Sequence, residues 1–348
     1  MKKFFLSLIF FLFITFIIIV SYLVLFGYET DKFNKILENK IKSSVANLTI
    51  NIDKIKIKIN IRNLNFFITT SKPNIEYRGN KIDIKKIDAN IKLNSILSTK
   101  PQIDKINLVT NEININEFKK VAKYLKPSNF KKFLLNDVKK GKITSNLDLF
   151  LKNNEIESYE VNGYTKNLFI DKEKINLKEA SFIYLIKNNS GEIDNLRGFL
   201  NGLQINSGSI KFDNSKLLNV RGNLNSYLDL NKENLNNILK NQIQERFEDF
   251  QLVGNVKKMF QIKLDQTLKI IDYKFEASGN IKKLKIEFKN SNNYLFVKNK
   301  IKNINLEKSD FKINYGKKKE KSFIINGLYK TNNNSLQKFN LTHQNNLN

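Results

Sequence analysis

The chain has 348 residues, with 60 Lys and Arg against 33 Asp and Glu, a net charge of +27, one histidine and no cysteine. The lack of cysteine excludes a disulfide framework and thiolate chemistry, and one histidine excludes a zinc cluster built from His and Cys. Arginine occurs only at Arg62, Arg78, Arg197, Arg221 and Arg246; bidentate recognition of phosphates and base edges favours arginine, so the lysine excess fits an AT-rich coding bias and an anionic membrane surface better than nucleic acid.

Residues 4–26, FFLSLIFFLFITFIIIVSYLVLF, carry no charge, no proline and no glycine. At ~1.5 Å per residue this run makes a helix of roughly 34 Å, enough to cross a hydrocarbon core of about 30 Å. A helix satisfies its own backbone there. A cleavable signal peptide has a shorter apolar region, about 7–15 residues, and a small-residue cleavage site; here Gly27-Tyr28-Glu29-Thr30-Asp31 follows. The sequence predicts an uncleaved single-pass anchor. Lys2 and Lys3 precede it while Glu29 and Asp31 follow it. The positive-inside rule then keeps the tip, residues 1–3, in the cytoplasm and carries the other ~320 residues across.

Phe33, Ile36, Leu37, Ile41 and Val45 recur at helical spacing and predict a short amphipathic helix over 30–46. From Leu48 the period drops to 2. Leu48-Ile50-Ile52 and Ile55-Ile57-Ile59-Ile61 alternate with polar residues, and the phase slips at Asp53-Lys54, which reads as a bulge or turn. Leu64-Phe66-Ile68, Ile82-Ile84, Ile87-Ala89-Ile91-Leu93 and Ile106-Leu108 continue the pattern. One face apolar and one face Lys and Asn marks an antiparallel sheet wet on one side. Residues 47–140 thus form a first β domain, with a helical insert over 116–139 that Pro127 breaks in two.

Residues 141–330 read as a second, repetitive β region, with Leu147-Leu149-Leu151 a clear strand and one helix over 231–248. Strands spaced 8–12 residues apart are the signature of an all-β architecture. Gly222-Asn223, Gly254-Asn255 and Gly279-Asn280 share an apolar setting and suggest one unit added repeatedly. Each reads equally as a bend within a strand or as a hairpin turn. The tail, 331–348, is polar and reads as frayed.

The search for catalytic chemistry is close to empty. There is no G-x-x-x-x-G-K-[ST] or G-x-G-x-x-G and no calcium loop. His343 lies in the tail, and Glu155, Glu157 and Glu160 sit in what reads as a polar connector. The inventory argues against an enzyme and implies no cofactor or metal. A continuous apolar face must still be buried on something. Either it closes on itself as a β-sandwich or barrel, or it stays open as a trough for acyl chains.

The stretch Ile87-x-Ala89-x-Ile91-x-Leu93-Asn94-Ser95-Ile96-Leu97-Ser98-Thr99-Lys100-Pro101-x-Ile103-x-x-Ile106-x-Leu108, behind an anchor and strands of the form Ile57-x-Ile59-x-Ile61-x-Asn63-Leu64-x-Phe66, resembles the AsmA-like family of bacterial envelope proteins. The resemblance is best over the first ~120 residues, and Ile96 stands where the family has the first of two leucines. It implies an inner-membrane anchor with the body in the periplasm. It also implies a mainly β fold with few helices, whose long curved antiparallel sheet forms an open, taco-like groove that conducts phospholipid between membranes and maintains the outer membrane. The alternative is a closed β-sandwich acting as an anchored structural or assembly protein that binds other envelope proteins. Under the groove reading the partners are the membrane and phospholipid acyl chains, and the lining is Ile57, Ile59, Ile61, Phe66, Ile68, Ile82, Ile84, Ile91, Leu93, Leu147, Leu149 and Leu151.

Overall fold

The computed structural model describes residues 2–345 apart from 33, 36, 37, 40, 41, 43–46, 63, 64, 96–101, 125, 174, 215, 239–246, 266, 268, 293–300, 318–320 and 333. Among the described residues the chain is mainly β, with one apolar N-terminal helix and a single open antiparallel sheet of 20 strands that is not closed into a barrel. The closed sandwich considered above is therefore not formed. The molecule divides into two compact units: Met1–Asn136 with Lys142–Tyr164, and Asp137–Gly141 with Thr165–Asn348.

Helix α1 (Lys2–Leu25) opens the first unit. Its stretch Phe4–Leu25, 22 residues, is long and apolar enough to cross a membrane, and none of it is buried. The Thr15 hydroxyl donates to the Phe11 carbonyl at 2.9 Å, so this polar group is satisfied within the helix. The N–H groups of Phe26 and Gly27 both bond to the Tyr22 carbonyl, and Gly27 turns the chain at a φ of +75°. A Cβ at Gly27 would press on Lys58 and on the Ile57 carbonyl. Glycine thus ends the span where the chain passes directly against a strand.

The first-unit strands are β1 (Tyr28–Thr30), β2 (Leu48–Asn51), β3 (Ile55–Asn60), β4 (Asn65–Ser71), β5 (Asn74–Tyr77), β6 (Asn80–Lys92), β7 (Ile103–Thr110) and β8 (Ile113–Asn114). Strand β9 (Val138–Lys152) contributes to both units, as does β10 (Glu155–Lys172). The phase slip expected at Asp53-Lys54 is a break between β2 and β3. The Asn34 amide clamps it by donating to the carbonyls of Ile52 and Asp53, each at 2.7 Å. Most of the predicted helix over 30–46 lies outside the described residues; Thr30, its expected start, belongs to β1, which pairs with β3. The insert is two helices, α2 (Ile115–Ala122) and α3 (Asn129–Asn136), separated around Pro127 as expected, but β9 already begins at Val138.

The second unit continues with β11 (Ile175–Lys187), β12 (Ser190–Leu200), β13 (Leu203–Ile205), β14 (Ser207–Asp213), β15 (Leu218–Asn231), β16 (Phe247–Leu264), β17 (Ile270–Asn292), β18 (Ile301–Gly316), β19 (Lys321–Thr331) and β20 (Gln337–Asn345). From β14 onward each strand pairs antiparallel with the next. Three expectations change here. The helix over 231–248 is seen as α4 (Lys232–Ile238), and Phe247 and Glu248 already belong to β16. The tail is not frayed over Gln337–Asn345: Ile325 and Phe323 give Leu341 and His343 cross-strand partners, and the backbone pairing holds them. Glu155, Glu157 and Glu160 stand on β10, not in a connector.

One device recurs in this unit. Asn167, Glu179, Asn195 and Lys308 adopt left-handed φ values of +51°, +53°, +55° and +46°. Each is exposed, and the residue after it (Leu168, Ala180, Leu196, Ser309) is buried. Glu179-Ala180 and Lys308-Ser309 each set two residues against one, Gly198 and Gly327, where the register shifts. A Cβ at Gly141, Gly198 or Gly327 would strike the buried residue of the bulge, and their φ values of +143°, +147° and +156° suit glycine. Each bulge thus turns one polar residue outward and drives its successor into the sheet.

Candidate functional site

Directly opposed residues in antiparallel strands share a face, so the registers trace the surface. In the first unit Ile57, Ile68, Ala89, Ile106 and Leu149 form one row across β3, β4, β6, β7 and β9. Beside it run Ile55, Thr70, Ile87, Leu108 and Leu147, and then Ile59, Phe66, Ile91 and Ile103. Ile55 and Thr70 are buried, whereas every member of the first row is half-buried. The other face carries Lys56, Thr69, Asp88, Asn107 and Asp148 in the matching row. There the Asn107 amide donates to Asp148 at 2.7 Å, and Lys105 pairs with Asp148 at 3.0 Å.

At one end of this face α2 stands over a cavity of about 640 Å³. The Asn114 side chain caps the helix by accepting from the Asn116 N–H at 3.0 Å, and Ile115 and Ala122 anchor it as buried residues. Phe118 and Val121 from α2, Ile82 and Ile84 from β6, and Ile113, Ile143, Leu108 and Leu147 line the space. Leu108 and Leu147 also belong to the apolar rows, so cavity and face are continuous. Pockets of roughly 300–1,000 Å³ with mostly apolar walls are the usual size for small ligands.

Of the expected lining residues, Ile57, Ile59, Phe66, Ile68, Ile91, Leu147 and Leu149 come together on this face. Leu151 continues the alternation of β9, half-buried, past the last residue paired with β7. Ile84 is set deeper, in a small core with Ile50 and Ile75 against which half-buried Ile82 packs, and both reach the face through the cavity. Two are misplaced: Ile61 is 57% exposed in the turn after β3, and Leu93 begins a short 3-10 helix, Leu93–Ser95. Lys2 and Lys3 form the first residues of α1. Of the stretch carrying the family resemblance, residues 96–101 lie outside the described residues.

The second unit presents a larger face of the same kind. Ile210, Gly222, Phe260, Phe275 and Tyr315 form one row across β14 to β18. Ser226, Val256, Gly279, Phe311 and Ile325 form another across β15 to β19. A Cβ at Gly222 would overlap the Phe260 ring and one at Gly191 the Phe212 ring, so each ring lies flat over a cross-strand glycine. The Gly-Asn pairs therefore sit within strands, not in turns. The glycines face the apolar side, and Tyr227, Asn255, Asn280, Asp310, Asn326 and Asn340 make a polar row on the other. These second-unit residues were not singled out from sequence, although the same alternation runs through them.

No family model matches the chain, no curated protein matches it, and no solved structure matches it.

Proposed function

We propose that the chain is a membrane-tethered lipid-binding protein whose apolar sheet faces hold acyl chains and pass phospholipid along. The observation that carries this reading is the row Ile57–Ile68–Ala89–Ile106–Leu149, apolar across five strands of an unclosed sheet and only half-buried. Each CH₂ removed from water contributes about 0.8 kcal/mol. An acyl chain lying on this row covers surface that the protein itself leaves uncovered. The apolar helix α1 supports attachment to a membrane, and the resemblance to AsmA-like proteins supports the inner membrane, with the body in the periplasm and a role in supplying the outer membrane.

The test is photo-crosslinking by face. Benzoylphenylalanine placed at Ile106 is expected to capture phospholipid in cells, and the same residue at Asn107, on the opposite face of the same strand, is expected not to. Equal capture from both positions, or none from Ile106, contradicts the proposal.

A further inference from the structure

The apolar face of the second unit carries a charge among its central strands. Among the residues that the registers place on this face between β14 and β18, Lys258 is the single ammonium or carboxylate side chain; Tyr273 and Tyr315 add phenols, and Lys321, on β19 in phase with Phe323 and Ile325, lies with its ammonium 4.9 Å from the Tyr315 ring. It stands opposite Leu224 on β15 and Ala277 on β17, and Val256 and Phe260 flank it on its own strand. Val256 and Ala277 form a buried cluster with Leu228, against which Phe275, Phe311 and Ile313 pack. The Lys258 ammonium donates to one group, the hydroxyl of buried Ser226, at 3.5 Å. No carboxylate pairs with it among the described residues. Burial holds its pKa below the ordinary lysine value. A half-buried cation without a counter-ion is costly wherever nothing arrives to neutralise it.

We infer that Lys258 and Ser226 form the head-group station of this face, where a phospholipid of net negative charge places its phosphate while its chains lie on the flanking apolar rows. The inference rests on the lipid-binding reading above and adds its selectivity. The lysine supplies one positive charge, the serine hydroxyl a further donor, and the surrounding face strengthens both by excluding water. A lipid of net charge −1 is neutralised in full. A zwitterionic lipid brings its own ammonium, for which this face offers no carboxylate, and so gains less from the site. The polar face behind cannot serve, because its side chains point away from the chains' path.

The test uses the full chain in a neutral detergent, loaded with an uncharged fluorescent acyl probe that is displaced in turn by phosphatidylglycerol, phosphatidylcholine and oleate. Phosphatidylglycerol is expected to displace the probe at about tenfold lower concentration than phosphatidylcholine, the strength of one charge-assisted contact. Lys258→Met is expected to bind the probe as before and lose that preference, and Lys258→Arg to keep it. Lys258→Gln gives the same readout should the methionine variant fail to fold. An unchanged preference in the uncharged variants overturns the inference and leaves acyl binding intact. Oleate outcompeting phosphatidylglycerol through Lys258 overturns the phospholipid assignment in favour of a fatty-acid carboxylate. A wild-type chain that takes up no probe contradicts the lipid-binding reading itself.

Discussion

Lys258 shows how a single residue can work against the fold that carries it. Its pKa is lowered by burial, so the folded state holds its proton less tightly than the unfolded chain does. The cost of keeping it charged is fully present below the folded pKa, is relieved as pH rises through that value, and is gone above the unfolded one. Replacing it with methionine is expected to raise stability at pH 7 by about 1 kcal/mol, the low end of what apolar replacement of buried ionic groups delivers. The gain should shrink as the medium is made more alkaline, because Lys258 then loses its proton in the folded chain. Thermal melts across neutral to alkaline pH check it; a variant that melts lower at pH 7 contradicts it. The glycines work in the opposite sense. Gly222→Val drives a side chain into the Phe260 ring and Gly327→Ala into Ser309 at a φ of +156°; each is expected to cost about 1–3 kcal/mol in denaturant unfolding. Lys258 was visible in the sequence as the break in Val256-x-Lys258-x-Phe260-x-Ile262, but a lysine beside Lys257 in a lysine-rich chain reads as surface until the register fixes its side.

The alternation of Ile57, Ile59, Phe66, Ile68, Ile91, Leu147 and Leu149 was enough to put these residues on one face, because strand geometry has a period of two and a buried face fixes the register. Ile61 and Leu93 continue the same alternation past the ends of their strands, and pattern alone has no mark for where pairing stops. The bulges were not legible. Glu179 and Lys308 are unusual residues for a left-handed conformation. The buried successor and the facing glycine hold them there, a relation between strands and not within one. The polar tail became β20 for a similar reason, since β19 offers it a free edge to pair with. The two-piece insert was legible through Pro127, but the cavity beneath α2 was not, because it depends on how α2 packs over β6 and β9. Lysines at Phe118 and Val121 together are expected to reduce acyl-probe binding several-fold with far-UV circular dichroism unchanged. Retained binding in that variant removes the cavity from the lipid's path.

For the whole molecule, a continuous apolar face along the run of strands was evident from the sequence, and it fits a sandwich as well as a trough. What separates the two is the pairing order, which adds strands edge to edge into one unclosed sheet. Membrane orientation can be read directly because the chain has no cysteine. A cysteine placed at exposed Asn340 is expected to react with a membrane-impermeant maleimide in cells whose outer membrane has been opened; protection until the inner membrane is lysed reverses the topology.

The central claim is that half-buried side chains on the first-unit face are the bed of a lipid. Native mass spectrometry of the full chain, released from detergent, measures this most directly by the bound phospholipid it retains. Wild-type chain is expected to fly with phospholipid attached, and the folded double variant Ile106→Glu, Leu149→Lys to lose most of it. Equal phospholipid on both, or none on the wild type, contradicts the account.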